Sequence, residues 1–364
     1  MSALPIFSTG STANAQVDVC YRLVHNRTIG PRRSLMSYTS ESLLSKGTTL
    51  KQVREVIELL GYIKVQDGLK VPHRTDCMMW SEQKDYKSWV GVELDIYQEK
   101  GQIIVSTRSR FGRSYWDLTH QNKTLKTLRD LFGGYFETDA GRNRYWRPEG
   151  KPPSSVMSGC FLARWRFNNA LIKPRIYIRE RGLEGQNSKP ILTGIAFMDE
   201  MNPRLFSNNL LLPYLAAIWE EYFRSSFIAL LQYSDNRKAA LKRANFSQNQ
   251  LEAIASREQS IEQSLAESLS FQRPSQTSSN FKLINPKIDI AGVLRKPYRR
   301  RKISLFESIE TCIEMRNEFV HTGQIDIELT DKKIKRVLGD FEVAVDRAYD
   351  LFGSVYNFQP SRDY

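Results

Sequence analysis

Apolar residues return at helical spacing soon after the start of the chain. Leu50, Val53, Val56, Ile57 and Leu60 form one stripe, the mark of an amphipathic helix. Thr49 and Gln52 stand where a capping box needs them, and Gly61 supplies the stop. The period then changes. In Val90-Gly-Val92-Glu-Leu94-Asp-Ile96 large apolar residues alternate with small or charged ones, as in a half-buried strand. Glu99-Lys-Gly-Gln102 reads as a turn and Ile103-Ile-Val105 as the return strand of a hairpin. Leu125, Leu128, Leu131 and Phe132 share a face ahead of Gly133-Gly134 and predict a second helix over 121–133. Phe161–Phe167 and Arg175–Arg179 read as further strands, and an apolar run spans Val17–Val24.

From about residue 203 the pattern is helical. Leu210–Tyr233 is apolar and aromatic on more than one side, as in a central bundle helix. Residues 236–270, rich in Ala, Gln, Ser and Glu, suit an exposed helix or helix pair, and QRPSQTSSN at 272–280 reads as a polar linker. Helices follow over Ser304–Thr322, stopped by Gly323, and over Asp331–Phe352. The fold class is therefore α+β: a mixed α/β sheet domain over 1–200, then an all-α bundle over 201–358.

Composition adds limits. Hydrophobic residues make up 41% and charged ones 26% of 364 residues, as in an ordinary globular protein large enough to bury a core. No run reaches the length of a membrane span, and MSALPIFSTGSTANAQ lacks the basic and apolar regions of a secretory signal. Cys20, Cys77, Cys160 and Cys312 are too scattered for a disulfide framework. These features predict a cytoplasmic protein with no membrane partner. The net charge is +13, which points to an anionic partner such as nucleic acid. Between Val105 and Arg181 stand 16 Lys and Arg against 6 Asp and Glu, interleaved with aromatics. Arg142 and Arg144 in this stretch are candidate RNA contacts, since guanidinium grips phosphate and aromatic rings stack bases. The bland alternative is a solvated surface over an aromatic core.

One motif carries chemistry. In Ile313-Glu-Met-Arg316-Asn317-Glu-Phe-Val-His321 the arginine falls on the stripe Phe306, Ile309, Ile313, Arg316, Val320. A guanidinium facing a bundle interior needs a partner, and a glutamate on a neighbouring helix would be the ordinary one. His321 lies about 140° around an ideal helix from Arg316. The two converge only if the helix distorts near Gly323 or if a second subunit supplies the other residue. A histidine at a helix C-terminus is otherwise favoured by the helix dipole.

Arg316-Asn317-x-x-x-His321, late in a helical bundle, resembles the R-x4-6-H motif of the HEPN superfamily, in which a polar residue often follows the arginine. Ile218-Trp219-Glu220-Glu221-Tyr222-Phe223 is similar to the family's early helix with an acidic residue, and Glu220 is the match. The resemblance spans about residues 203–355. It implies a metal-independent endoribonuclease acting as a homodimer, with Arg316, His321, Asn317 and Glu220 as catalytic residues and no cofactor. RNA carries its own nucleophile in the 2′-OH. Histidine can move the proton, arginine can hold the phosphate, and Glu220 would pair with Arg316. Such domains often serve as toxins or antiphage abortive-infection effectors, so a phage-derived trigger or an antitoxin is an expected partner beside RNA. The N-terminal half would sense or position RNA.

The basic run 295–302 leads into the motif helix. Arg295, Arg299, Arg300, Arg301 and Lys302 are therefore candidate guides for RNA. The rival readings are a non-catalytic HEPN-like module that binds RNA or dimerises, and a DNA-binding regulator, for which no helix-turn-helix pattern is found. Cys20-x4-His25 with His73-x3-Cys77 lacks usual zinc spacing. Glu93, Asp95 and Glu99-Lys100 only faintly suggest a metal-dependent nuclease.

Overall fold

The computed structural model describes residues 37–66, 71–148, 150–183, 196–242, 244 and 246–362. The Val17–Val24 run, Cys20 and His25 lie outside the described residues. Alternation at 90–105 produces the expected hairpin. β4 (Val92–Glu99) and β5 (Gln102–Arg110) pair with Ile96 opposite Val105 and Glu99 opposite Gln102. Lys100 and Gly101 both take positive φ, the conformation of a two-residue turn whose twist matches that of the strands.

Around this hairpin stand β1 (Ser37–Leu43), β2 (Ile63–Lys64), β3 (Arg74–Trp80), β6 (Tyr135–Thr138) and β7 (Gly141–Arg142). The sheet order is β2-β3-β4-β5-β1-β6-β7, and every pairing is antiparallel. α1 (Leu50–Leu59) and α2 (Tyr115–Phe132) cover one face, where Val53 and Ile57 pack with Leu94, Ile96, Val105 and Leu128. The Thr49–Gln52 capping box forms as expected. α2 starts earlier than its apolar spacing predicts, because Ser114 and Asp117 make their own capping box.

The helical part is α3 (Ser155–Leu183), α4 (Ala196–Glu200), α5 (Pro203–Gln232), α6 (Arg237–Leu241), α7 (Gln248–Ala255), α8 (Ile261–Glu267), α9 (Pro274–Ile284), α10 (Ile290–Arg295), α11 (Leu305–Thr322) and α12 (Asp331–Tyr356). Its core centres on Trp219 of α5, which is fully buried. The Trp219 ring meets Phe223 and Phe341 edge-on at 4.5 and 5.5 Å, and its Nε1 donates to the Phe271 carbonyl at 3.0 Å. Among the described residues no helix is long and apolar enough to cross a membrane.

Two sequence expectations are overturned. Phe161–Phe167 and Arg175–Arg179 are not strands but turns of α3. The buried positions Cys160, Ala163, Phe167, Leu171 and Ile178 recur at helical spacing over a longer range than the local alternation. Residues 272–280 are not a linker but the entry to α9. Its inward face is built from small hydroxyl residues, with Thr277 and Ser278 buried beside Phe281 and Ile284. Thr277 Oγ1 donates to the Phe271 carbonyl at 2.9 Å, so the burial of that hydroxyl is compensated.

Residues 81–91 join sheet and bundle. Asp117 at the start of α2 accepts from Ser88 Oγ at 2.6 Å and from the Trp89 and Val90 amides. The Trp89 ring then stacks on Phe161 of α3 at 3.9 Å. Gly159 lets α3 approach α5 so closely that a Cβ there would lie 2.5 Å from the Ala229 Cβ and 3.1 Å from the Tyr86 ring.

Candidate functional site at the C-terminal end of α11

Ser304 caps α11 in a capping box with Glu307, and Gly323 closes it in the left-handed conformation at φ 73°. The helix is regular to Thr322, so it carries no distortion that would swing His321 toward Arg316. With about 1.5 Å of rise and 100° of rotation per residue, the two residues stand about 7.5 Å apart along the axis and about 140° apart around it. His321 is exposed in the last turn.

The stripe that predicts Arg316 on the core face holds only for its first turns. Ile309 and Ile313 are buried, but Cys312 completes the buried face and Val320 is 48% exposed. Arg316 lies half-buried at the border. Its Nη1 donates to Asn317 Oδ1 at 2.8 Å, and its buried Nε has no hydrogen-bond partner among the described residues. The expected carboxylate partner is missing: among the described residues no ion pair reaches Arg316. Glu220 instead faces Arg224 on its own helix at 3.7 Å.

Gln272, which sequence reasoning missed, completes the arrangement. Its Nε2 donates to the same Asn317 Oδ1 at 3.2 Å. One amide oxygen thus receives Arg316 from its own helix and Gln272 from the segment before α9. That segment is tethered on both sides. The Phe271 carbonyl is held by Trp219, and Arg273 Nη1 reaches Glu310 of α11 at 3.0 Å. Glu220 therefore follows a residue that anchors the segment, but it makes no hydrogen bond or ion pair with the motif among the described residues. An open cavity of about 350 Å³ lies beside this segment, lined by Ser270, Ser275, Gln276, Ser279 and Asn280. The arrangement offers a guanidinium without an ionic partner among the described residues, held by the Asn317 amide that Gln272 in turn braces, at a partly exposed helix end.

The basic candidates fall into different surroundings. Arg301 makes a bidentate ion pair with Asp340 of α12, at 2.5 and 2.8 Å. Hydrogen bonding to that carboxylate, against the cost of burial, pushes the Arg301 pKa further up. Arg295 covers the Phe306 ring at 3.9 Å, while Arg299, Arg300 and Lys302 are exposed. This cluster precedes Leu305 and His321 ends α11, so about 24 Å of helix rise separates them. Arg142 and Arg144 are exposed on and just after β7 of the sheet, with the Arg142 guanidinium 3.7 Å from the Tyr135 ring.

Three charges of the local surplus between 105 and 181 are neutralised by acids far along the chain. Arg164 pairs with Asp346 at 2.8 Å, Arg175 with Glu342 at 2.6 Å and Arg181 with Asp331 at 2.7 Å. Burial opposes ionisation of Asp331, but hydrogen bonds from Arg204 and Asn208 and the two nearby guanidiniums outweigh it and hold its carboxyl below the usual range. The aromatics divide similarly. Trp146 is buried and stacked on Tyr38, whereas Phe111 is exposed. Among the described residues no group of three or more His, Cys, Asp or Glu is placed to hold a metal ion. No family model matches the chain, and no curated protein or solved structure matches it.

Proposed function

We propose that the chain is an endoribonuclease whose site is assembled from the Arg316 and His321 ends of two copies of α11. The observation that carries this reading is the state of Arg316. A half-buried guanidinium without a carboxylate costs stability, and an incoming phosphate would supply the missing anion. Asn317, braced by Gln272, aims the guanidinium without neutralising it. The reading also rests on the resemblance of Arg316-Asn317-x-x-x-His321 to the HEPN motif.

In the reaction the RNA 2′-oxygen attacks the adjacent phosphorus, and the bond from phosphorus to the 5′-oxygen breaks. The 2′-proton passes to the neutral His321 imidazole, and the imidazolium so formed gives a proton to the leaving 5′-oxygen. Arg316 stabilises the charge that develops on the phosphoryl oxygens. The products are a 2′,3′-cyclic phosphate and a 5′-hydroxyl. The rotation between Arg316 and His321 keeps them on different sides of one helix, so a homodimer supplies the pair. Cleavage of cellular RNA would arrest growth, the action of a toxin or an antiphage abortive-infection effector.

The test is incubation of purified protein with total RNA in EDTA. Wild type should cleave, and Arg316→Ala and His321→Ala should each lose cleavage. Mixing the two inactive proteins through a dissociation and reassociation step should restore part of the activity, because one composite site in the mixed dimer keeps both residues. Full cleavage by His321→Ala protein would refute the assignment.

A further inference from the structure

The second end of α11 carries a feature that the nuclease reading does not use. The segment joining α10 to α11 is held in place from inside. Arg347 of α12 donates to the carbonyls of Val293, Lys296 and Pro297 at 3.1, 2.8 and 2.8 Å. Arg301 is clamped bidentately on Asp340, which is almost fully buried and also accepts from Ser308 Oγ at 2.5 Å. Arg299 takes φ 54°, a left-handed conformation that turns the segment back between these two anchors. The Tyr298 ring lies among the guanidiniums of Arg299, Arg301 and Arg347, at 5.0–5.5 Å from each.

What the clamps leave outside is uniformly cationic. Arg295, Lys296, Arg299, Arg300 and Lys302 are exposed, and no ion pair reaches any of them among the described residues. One nearby acid is committed, and the other, Glu307, lies within electrostatic reach of Arg295. Asp340 is taken by Arg301 and Ser308. Glu307 accepts from the Ser304 amide and hydroxyl at 2.8 and 2.9 Å as the helix cap. Arg336 is also exposed, one helical turn before Asp340 on the same face of α12. Like charges held on a fixed backbone repel one another and cost stability unless an anion arrives.

We propose that this segment is a docking surface for the phosphodiester backbone of a nucleic-acid strand, distinct from the Arg316 end of the helix. Arginines predominate, and guanidinium forks match phosphate oxygens in pairs. The backbone clamps set their spacing before the ligand binds. Arg301 is the anchor of this surface and not a ligand contact. That the strand is RNA rests on the nuclease reading; the phosphate contacts do not. A strand docked here reaches Arg316 by running along α11, so substrates too short to span about 16 Å lose the contribution of this surface.

The test measures binding of the full-length protein to a labelled 20-nucleotide single strand by fluorescence anisotropy, from 50 to 300 mM salt. One strand is DNA and one is 2′-O-methyl RNA; neither can be cleaved by 2′-OH attack, so binding is read whether or not the protein is a nuclease. The variant Arg299→Gln/Arg300→Gln/Lys302→Gln changes exposed side chains only. The slope of log K against log salt should fall by about 2 in magnitude, at ~0.7 for each lost phosphate contact on a single strand. Affinity at 150 mM salt should drop at least tenfold for both strands. Lys46→Gln/Lys51→Gln/Lys126→Gln removes the same charge from exposed positions elsewhere and should change neither quantity. Wild-type affinity in the first variant, or an equal loss in the control, overturns the proposal. So does unchanged strand binding with lost binding to vesicles containing phosphatidylserine, which would make the surface a membrane contact. Strand binding that depends on the segment, in a protein that cleaves no RNA in EDTA, keeps the docking surface and discards the nuclease reading.

Discussion

His120 provides a direct check on the packing of α2 against the sheet. Its ring stacks on Trp80 at 3.8 Å with 4° between planes and meets Tyr62 at 5.3 Å. Nε2 is buried with no hydrogen-bond partner among the described residues. Burial, with a smaller push from the Lys123 charge, lowers its pKa to about 4. A stacked indole attracts an imidazolium by ~0.5–2 kcal/mol, yet burial and Lys123 outweigh it. The folded protein therefore holds a neutral ring, while the unfolded chain protonates near the ordinary value of about 6.5. Below that value the unfolded state binds more protons, so stability is complete above pH 6.5 and declines as pH falls toward 4. A shift of about 2.5 units corresponds to about 3 kcal/mol at the acid limit, of which about 2 kcal/mol is lost by pH 5. His120→Phe keeps a stacking ring and removes the titration. The stability difference between wild type and variant, from urea unfolding, should move by about 2 kcal/mol between pH 7.5 and pH 5, with wild type losing more. The His120 ring protons should show no NMR titration midpoint above pH 5. A midpoint near 6.5, or a stability difference that does not change with pH, would refute the reasoning.

Three further outcomes follow. Gly159→Ala should cost about 1–3 kcal/mol, because the new methyl meets the Ala229 Cβ at 2.5 Å. Adding Ala229→Gly should recover part of that loss, seen as a partly restored urea midpoint. Asp340→Ala leaves a largely buried Arg301 and Ser308 without their acceptor and should cost about 2–3 kcal/mol. Arg301→Met with Asp340→Leu should be close to neutral by the same measurement. Gln272→Ala should lower RNA cleavage mainly through kcat, since the side chain touches Asn317 and not the phosphate, while a variant at the exposed neighbour Gln276 should not. Loss through KM alone would deny Gln272 a positioning role.

The features legible from sequence were those set by near neighbours. The β4–β5 hairpin follows from two-residue alternation and a Lys-Gly turn, and the Thr49–Gln52 cap from a three-residue spacing. α3 was misread because Arg175-Ile-Tyr-Ile-Arg179 alternates like a strand and Pro174 suggests a break, while its true partners lie far along the chain. Asp346, Glu342 and Asp331 are more than 140 residues from the arginines they neutralise. α9 was hidden by its hydroxyls, which count as linker composition until each is seen to find an acceptor. Gln272 sat in the same stretch and carried no signal of its own.

Charge shows the limit most plainly. Six basic residues in eight positions at 295–302 are visible in the sequence, but nothing there separates Arg301 from Arg300. The difference is Asp340, a buried acid on another helix, which turns one arginine into a fastener and leaves its neighbour facing solvent. The same dependence works in reverse at Arg316. Sequence alone left two readings open, a structural salt bridge to a glutamate on a neighbouring helix or a catalytic arginine that holds phosphate with Glu220 beside it. Glu220 turns to Arg224, and the only hydrogen-bond acceptor at Arg316 among the described residues is the neutral Asn317. A pairing energy depends on two residues at once, so it becomes readable only when the fold has placed both. That is why the functional weight of this chain rests on which of its arginines have found an acid and which have not.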